Sequence, residues 1–430
     1  MSDGSGPPTG RFTRFRKLAA LSAQVGADAV TRGVKRIAGV DGSLVSKSAA
    51  EKIADALGEL KGAAMKLGQM AAMDGEVLPN ELRVALARLQ NQAPAMSFDA
   101  VAKVVQAELG KTPDEAFAEF DRTAMAAASL GQVHRARLHD GREVAVKVQY
   151  PGIAEALVSD FENLGTLIGV LSKTSKTLDG RVYYRELRDE MLLEIDYRRE
   201  AELCRAFAEA CRPFEQLKVP EVVEELTRER VLTLELLRGR TLREFLLENP
   251  DNDARYRVSC QLIHAIYGPL LHTGELHADP HPGNFMVLED GRLGILDFGS
   301  VKHFSPSFVE VSRRMIRSAL EQKPQDVLAI CRDAGFSIEI DDAVAGPLVR
   351  EVLHIAGRPL RAAEYDYAQC SVSRDLKALG AKNVASFLRI RPPAEAVLFF
   401  RAIGGCSQNL RSLGARGDFR AAYEPLRQFV

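Results

Sequence analysis

The chain lacks three features that would place it in a specialised class. Its longest apolar segments, 164–171 and 396–400, are too short to span a bilayer, which takes about 18 apolar residues or more. The six cysteines form no Cys-x-x-Cys pair, so reduced, structural thiols in a cytosol-like compartment are expected. The formal net charge of -1 provides no global field that would attract nucleic acid, and no nucleic-acid partner is expected.

What is present is an ordinary globular composition with an unusual beginning. The 430 residues are 46% hydrophobic and 27% charged, enough for two or three domains. The first 40 residues contain seven Lys or Arg against two Asp, and Phe12, Phe15 and Leu18 recur among them at helical spacing. The segment 1–45 is therefore a membrane-surface helix, a transit-type presequence or a disordered basic tail, and the sequence leaves all three open.

The most informative stretch runs from His277 to Phe285 and is followed at a fixed distance by Asp297-Phe298-Gly299. Its spacing is that of a protein-kinase catalytic loop and metal-binding turn. Asp279 is predicted to accept a proton from the attacking hydroxyl or to orient it. Asn284 and Asp297 are predicted to hold Mg²⁺, which prefers hard oxygen ligands.

The residues between Asn284 and Asp297 predict a β-hairpin. Two short apolar runs, 285–288 and 293–296, flank the turn sequence Glu289-Asp290-Gly291, and Asp-Gly is a strong hairpin signal. Asn284 and Asp297 should then lie at opposite ends of one hairpin.

A second set of residues lies upstream, at positions expected to face the phosphates. Aligned on Gly131 and Val133, the stretch Ala126-Ala127-Ala128-Ser129 matches a kinase phosphate-covering loop whose first two glycines are alanines. Alanine resists the positive φ angles that glycine allows, so this loop should cover phosphates less closely. Lys147, on a Val-rich strand, is predicted to contact the α and β phosphates.

Two further elements complete the predicted nucleotide site. Glu200, in a helical stretch over 185–211, is the predicted carboxylate partner of Lys147. Glu194 and Asp196 cannot both point inward from one helix, so either the helix starts near Asp196 or the two acids have separate roles. Backbone groups from Glu235 to Leu237, after the strand 231–235, are expected to bind adenine.

A helix before these elements carries an unusual face. It begins with the capping box Ser48-Ala49-Ala50-Glu51. Lys66 and Gln69 lie opposite its apolar face, where charged and polar side chains are ordinarily solvated. Glycines on the same face suggest instead the close approach of another backbone, and the residues alone leave both interpretations open.

These residues together resemble the UbiB-type atypical kinase-like family of coenzyme Q (ubiquinone) biosynthesis, including its mitochondrial members. Lys66-Leu67-Gly68-Gln69 matches the family's KxGQ motif, 126–129 its alanine-rich loop, and Glu194-Ile195-Asp196 its ExD motif. The resemblance implies an α+β, bilobal protein-kinase-like fold with a helical C-terminal lobe. It divides the chain into a basic segment 1–45, a KxGQ extension 46–115, an N-lobe 116–237 with a helical insert, and a C-lobe 238–430.

The resemblance also implies a function. It indicates an atypical kinase or ATPase that binds ATP or ADP with Mg²⁺ and supports ubiquinone biosynthesis at a membrane. Lys66 and Gln69 would face Glu194 and Asp196 and restrain protein-kinase activity. Ubiquinone-biosynthesis enzymes and anionic lipids are the implied partners, and the implied location is cytoplasmic, with peripheral attachment at the inner membrane left open. The chain departs from the protein-kinase pattern at His281, where a lysine normally contacts the γ-phosphate.

Two alternatives remain at the level of sequence. The pattern His277-x-Asp279-x-His281-x-x-Asn284 also resembles the catalytic loop of aminoglycoside and choline kinases, which phosphorylate small molecules. The alanine-rich loop and the lack of an Ala-Pro-Glu motif soon after Asp297 are compatible with a non-catalytic, nucleotide-gated scaffold for lipids or proteins.

Overall fold

The structure is a computed structural model, and it describes residues 96–128, 130–158, 161, 188, 192–321 and 327–430. The basic segment 1–45, the helix predicted from Ser48, Lys66 and Gln69, and Ser129 therefore lie outside the described residues. Within the N-lobe predicted to carry a helical insert, residues 153–158 are helical.

The chain divides into two compact units. The first contains residues 1–199 and 223–235, and the second contains residues 200–222 and 236–430.

The described part of the first unit is built on an antiparallel five-stranded sheet. Its helices are α1 (Phe98–Leu109) and α2 (Pro113–Ala116), and its strands are β1 (Glu119–Phe120), β2 (Ala126–Ala128), β3 (Gly131–Arg137), β4 (Glu143–Gln149) and β6 (Val231–Glu235). The strand order is β1-β3-β4-β6, and β2 also pairs with β3.

The core of this unit follows from the two-residue alternation of β4. Val144, Val146 and Val148 are buried on one face of the strand, where they belong to the same hydrophobic cluster as the apolar face of α1. Helix α1 begins after Ser97, whose side chain accepts the Ala100 N–H. Lys147 alternates with these valines along β4 and therefore lies on the opposite face of the sheet.

The described part of the second unit contains three two-stranded sheets, one four-stranded sheet and most of the described helices. Its strands are β5 (Leu217–Lys218), β7 (Gly239–Thr241), β8 (Glu275–His277), β9 (Phe285–Leu288), β10 (Leu293–Ile295), β11 (Val301–His303), β12 (Ser337–Ile338), β13 (Tyr365–Asp366), β14 (Ile390–Arg391) and β15 (Arg416–Gly417). The four-stranded sheet has the order β5-β10-β9-β7, and the pairs are β8 with β11, β12 with β14, and β13 with β15.

Helices surround these sheets. Helix α3 (Tyr197–Cys211) starts in the residues of the first unit and continues in the second; the others are α4 (Leu242–Leu247), α5 (Asn252–Thr273), α6 (Pro306–Glu321), α7 (Val327–Asp333), α8 (Asp342–Ala356), α9 (Arg358–Arg361), α10 (Val372–Lys382), α11 (Val384–Phe387), α12 (Ala394–Leu413) and α13 (Phe419–Tyr423). The 22-residue α5 is the central helix, buried along most of its length. Its first turn is capped by Asp251, and Gly274, at φ 89°, ends it just before β8.

Candidate active site

The catalytic loop follows directly from β8. Asp279, two residues after the end of the strand, is only 8% exposed. The amide nitrogen of Asn284 donates to the backbone oxygen of Asp279 at 3.0 Å and to its carboxylate Oδ2 at 3.1 Å. The structure thus brings the predicted proton acceptor and one predicted metal ligand into direct contact.

The predicted hairpin is confirmed and brings Asn284 close to Asp297. Strands β9 and β10 pair with Phe285 opposite Ile295. Gly291, at φ 83°, occupies the turn in a conformation that a side chain would strain. At the open end, the Leu296 N–H donates to the Asn284 backbone oxygen at 3.0 Å, which ties the two ends of the hairpin together.

This arrangement fits a magnesium ion. Both hydrogen bonds made by the Asn284 side chain use its nitrogen, so the amide oxygen Oδ1 is the atom that would bind a metal ion. Asp297 adds a carboxylate, one oxygen of which also accepts the Gly299 N–H at 3.1 Å. Among the described residues no cluster of three or more His, Cys, Asp or Glu could hold a metal. An amide and a carboxylate are a normal protein contribution for Mg²⁺, which takes further ligands from phosphates and water.

A cluster of three rings, packed edge to face or tilted, contacts the strand before the predicted catalytic loop, and sequence reasoning missed it. Phe207 on α3 lies 5.8 Å from the ring of His277 and 6.0 Å from that of Phe298, between centroids. Nε2–H of His277 donates to the Asp297 backbone oxygen at 2.5 Å. The helical spacing of Phe207 from Glu200 was the only sequence signal that could have placed both on one helix face.

The segment after Asp297 returns at once to the catalytic strand. Val301 pairs with His277, and His303 pairs with Glu275, so β11 forms within four residues of Asp297. The next helix begins at Pro306. The described residues therefore form no long activation segment that could serve as a peptide platform.

In the first unit, Lys147 occupies the sheet face away from the valine core. It pairs in register with Val133 on β3 and with Leu232 on β6. Its Nζ lies 4.9 Å from the centre of the Tyr197 ring, at the start of α3. The aromatic face steadies the ammonium group on this side of the sheet.

The alanine-rich residues form a regular strand instead of an irregular loop. Ala126 pairs with Val133 and Ala128 with Gly131. Among the described non-glycine residues only Asn249 has a positive φ, so the alanines are unstrained. Gly131 is required for a steric reason, because a Cβ there would lie 2.1 Å from the backbone oxygen of Val148.

The helix that carries Glu200 begins directly after Asp196. The Arg198 N–H donates to Asp196 Oδ1 at 2.9 Å, so Asp196 caps α3 and Glu194 lies in the preceding turn. Of the two sequence alternatives for these acids, the structure has the helix start near Asp196. The turn is held to the sheet because the Gln149 side chain donates to the Ile195 backbone oxygen.

Glu200 lies on the buried face of α3 and is 5% exposed. One turn further along, burial and then the Glu200 carboxylate raise the pKa of the Cys204 thiol. Its role as the partner of Lys147 stays a prediction. All six cysteines are free thiols.

The predicted adenine-binding residues lie where the chain passes from the first unit to the second. Glu235 ends β6 and pairs with Val144. Leu237 belongs to the second unit, where its Cδ1 would be 3.0 Å from a Cβ at Gly294.

Comparison with known proteins identifies the family. The model of the ABC1 atypical kinase-like domain matches residues 88–331, more than half of the chain. The chain belongs to the ABC1 atypical kinase-like family. The resemblance inferred from the sequence motifs is thereby confirmed.

Relatives match over most of the chain. The mitochondrial atypical kinase COQ8B of Rattus norvegicus is 29% identical over 434 residues, which cover 97% of this chain and 81% of the relative. The mitochondrial atypical kinase coq-8 of Caenorhabditis elegans is 31% identical over 372 residues, covering 84% and 48%. A solved complex of Rv3197 with erythromycin, from Mycobacterium tuberculosis, is similar at a TM-score of 0.64 and 32% identity, and covers 88% of this chain and 95% of that one.

Membership of the ABC1 family makes the protein an atypical kinase, an enzyme of the phosphotransferase class, and implies that it binds a nucleotide. Its fold is kinase-like, with helices and sheets mixed. Within the described residues, no helix has both the length and the apolar character needed to cross a membrane.

Proposed function

We propose that the protein binds ATP or ADP together with Mg²⁺ and uses nucleotide turnover to support ubiquinone biosynthesis at a membrane. The observation that carries the proposal is the hairpin of β9 and β10. Asn284 precedes its first strand and Asp297 follows its second, so that both flank the open end, and Asn284 is hydrogen-bonded to Asp279.

Each residue has one role in this proposal. Asp279 accepts or orients the proton of the attacking hydroxyl or water, and its burial keeps it fixed. Asn284 and Asp297 would hold the Mg²⁺ ion, which neutralises phosphate charge when it is bound. Lys147, held by Glu200, would contact the α and β phosphates.

The remaining predicted residues complete the nucleotide site. The backbone from Glu235 to Leu237 would bind adenine. The alanine-rich residues Ala126, Ala127, Ala128 and Ser129 would cover the phosphates. Lys66 and Gln69 of the KxGQ extension, facing Glu194 and Asp196, would restrain protein-kinase activity. The lobe boundaries 116–237 and 238–430 and the extension 46–115 belong to the same proposal.

Substitution of Asp297 tests the metal assignment. Asp297→Asn removes the only charge of the proposed metal pair, and it is expected to abolish Mg²⁺-dependent nucleotide binding and turnover. The matched control is Glu289→Gln, which removes one charge from an exposed side chain in the turn of the same hairpin. Full binding and turnover in Asp297→Asn would remove the proposal.

The restraint is tested at Ala128. Ala128→Gly restores a glycine of the kinase loop, so phosphoryl transfer to protein or small acceptors should rise if the catalytic residues are competent and only restrained. No change would favour the nucleotide-gated scaffold.

The membrane part of the proposal has its own test. ATP turnover is measured with and without anionic liposomes, for the full chain and for a chain lacking residues 1–45. Stimulation that depends on residues 1–45 supports attachment through the basic segment, and liposome-independent rates would remove that part. Ubiquinone-biosynthesis enzymes are the proposed protein partners.

One observation favours a small-molecule phosphotransferase as the second candidate. Because β11 pairs with β8 immediately after Asp297, the described residues offer no long activation segment along which a peptide acceptor could lie, which supports this candidate. The relative from Mycobacterium tuberculosis is solved with the small molecule erythromycin. Transfer of phosphate to a soluble alcohol in an acceptor screen would put this candidate first.

A further inference from the structure

A buried amide from the C-terminal helix α12 reaches the catalytic loop. Asn409 is 6% exposed, and its Nδ2 donates to the backbone oxygen of Pro280 at 2.7 Å. Pro280 directly follows Asp279, although 129 positions separate it from Asn409. A carbonyl oxygen can only accept, so the nitrogen of the Asn409 amide must be the atom that faces the loop.

This hydrogen bond acts on the peptide group that follows Pro280 in the predicted catalytic loop. Proline fixes its φ angle and has no N–H to donate, so the remaining freedom at Pro280 is rotation of the following peptide group. The Asn409 amide holds the oxygen of that group. Since Asn284 holds the preceding oxygen, that of Asp279, two successive carbonyls around the catalytic carboxylate are fixed from different directions.

The other end of α12 holds the end of the segment that begins at Asp297. The Glu395 carboxylate accepts the Ser305 N–H at 2.9 Å through one oxygen and the Ser305 hydroxyl at 2.9 Å through the other. Glu395 and Asn409 are 14 residues apart, which is about 21 Å along a helix at 1.5 Å per residue. One helix therefore contacts both the catalytic loop and the start of α6.

We propose that Asn409 is a positioning residue for phosphoryl transfer, with α12 serving as a brace that keeps the Asp279 carboxylate aligned. The inference rests on the proposed function. Glu395 anchors the same helix to Ser305, at the point where a longer activation segment would otherwise leave the catalytic loop.

The test uses two neighbouring amides on α12. Asn409→Asp keeps the shape but replaces the donor with a carboxylate that faces a carbonyl oxygen. Gln408→Glu makes the same chemical change at the adjacent, exposed position and is the control. In Asn409→Asp we expect kcat for MgATP to fall roughly 10- to 100-fold through misalignment, while the Kd for MgADP stays at the control value.

A second readout does not depend on activity. The amides of Gly283, Asn284 and Phe285 are bonded within the loop, to His281 and Pro282. Their hydrogen exchange should accelerate in Asn409→Asp relative to Gln408→Glu, while the amides of the buried helix α5 stay protected. A general loss of folding would accelerate both sets. In that case Asn409→Ser is used instead of Asn409→Asp, because its shorter side chain cannot reach the Pro280 oxygen and adds no charge.

The outcomes separate the two proposals. A lower kcat with an unchanged Kd and faster exchange confined to the loop supports the brace. Loop exchange and kcat equal to those of the Gln408→Glu control would overturn it. A wild-type chain with no nucleotide turnover would remove the proposed function, and the exchange comparison would still decide whether Asn409 holds the loop.

Discussion

The two compact units depart from the protein-kinase pattern to different degrees. In the second unit, Asp279, Asn284 and Asp297 keep the kinase spacing, and the Asn284 side chain donates to Asp279. In the first unit, the residues that align with the kinase phosphate-covering loop are alanines, and they form the regular strand β2. The second unit thus keeps the kinase pattern, whereas the first unit departs from it at the alanines.

Under the proposed function, the difference indicates which unit sets which step. In the second unit, the predicted proton acceptor Asp279 and the predicted metal ligand Asn284 are joined by hydrogen bonds. The first unit presents Lys147 on a well-formed sheet, and the neighbouring strand β2 has alanines where the kinase loop has glycines. Variants in the second unit should therefore change the rate of the chemical step, and variants in the first unit should mainly change how the nucleotide is held.

The largest expected effect belongs to the catalytic carboxylate. Asp279→Asn should lower kcat by roughly 10²- to 10⁴-fold, the usual contribution of a positioned acid or base, with MgADP binding retained. Rapid-quench assays of phosphate release and equilibrium nucleotide titrations measure the two quantities. Loss of binding in parallel with kcat would mean that Asp279 acts in nucleotide binding rather than in catalysis.

Next in size is the loss of the ammonium group in the first unit. Lys147→Met should weaken ATP binding by about 1.5–3 kcal/mol, the usual value of a hydrogen bond to a charged group, which is roughly 10- to 100-fold in Kd. Lys103→Met, at an exposed lysine on α1, is the control. If Lys147→Met lowers kcat without changing Kd, the assignment of separate roles to the two units fails.

A smaller effect should come from Gly131, the glycine in the hairpin of β2 and β3 that is buried against β4. Gly131→Ala places a methyl group 2.1 Å from the Val148 backbone oxygen, next to Lys147 in sequence. The overlap should lower the free energy of unfolding by about 1–3 kcal/mol and weaken nucleotide binding. Gly380→Ala, in α10 where nothing lies within 4 Å, is the control and should be neutral or stabilise by up to about 1 kcal/mol. Thermal and urea unfolding compare the two variants.

The smallest expected effect is a pH dependence of stability that both units share. Burial lowers the pKa of His134 in the first unit and of His264 in the second. His134 is held neutral because the Gln132 amide donates to its Nε2 at 2.8 Å, while its Nδ1–H donates to the Asp121 oxygen.

The sign follows from proton binding in the two states. Below about pH 6.5 the unfolded chain takes up a proton at each histidine, whereas the folded chain does so only at lower pH. The free energy of unfolding is therefore full above about pH 6.5 and falls below it, by at most about 1.4 kcal/mol per pH unit for each group. Urea unfolding between pH 7.5 and 5.5 should show a shallower fall in His134→Gln and in His264→Gln; an unchanged slope in both would contradict the assignment.

Local signals in the sequence predicted the second unit well. The Asp-Gly turn between two apolar runs predicted the β9–β10 hairpin, and the five-residue interval from Asp279 to Asn284 predicted their shared loop. The strand 231–235 also has the predicted bounds. In each case the deciding interactions connect residues that are near one another in the chain.

Distant contacts could not be predicted in the same way. Alanine has little preference for strands, and it is pairing with β3 that makes 126–128 extended. Two contacts join segments that are far apart in sequence. One is the ring cluster of Phe207, His277 and Phe298, and the other is the hydrogen bond from Asn409 to Pro280. Gly131 was expected from the kinase pattern, but the close approach of β4 is what requires it.

The most direct test of the account is a count of bound metal in the presence of nucleotide. Mn²⁺, which substitutes for Mg²⁺ and can be followed by electron paramagnetic resonance, is titrated into the protein with saturating ADP. The account predicts nucleotide-dependent Mn²⁺ binding in the wild type and in Glu289→Gln, and its loss in Asp297→Asn. Equal Mn²⁺ binding in all three proteins would contradict the claim that the two ends of the β9–β10 hairpin hold the ion.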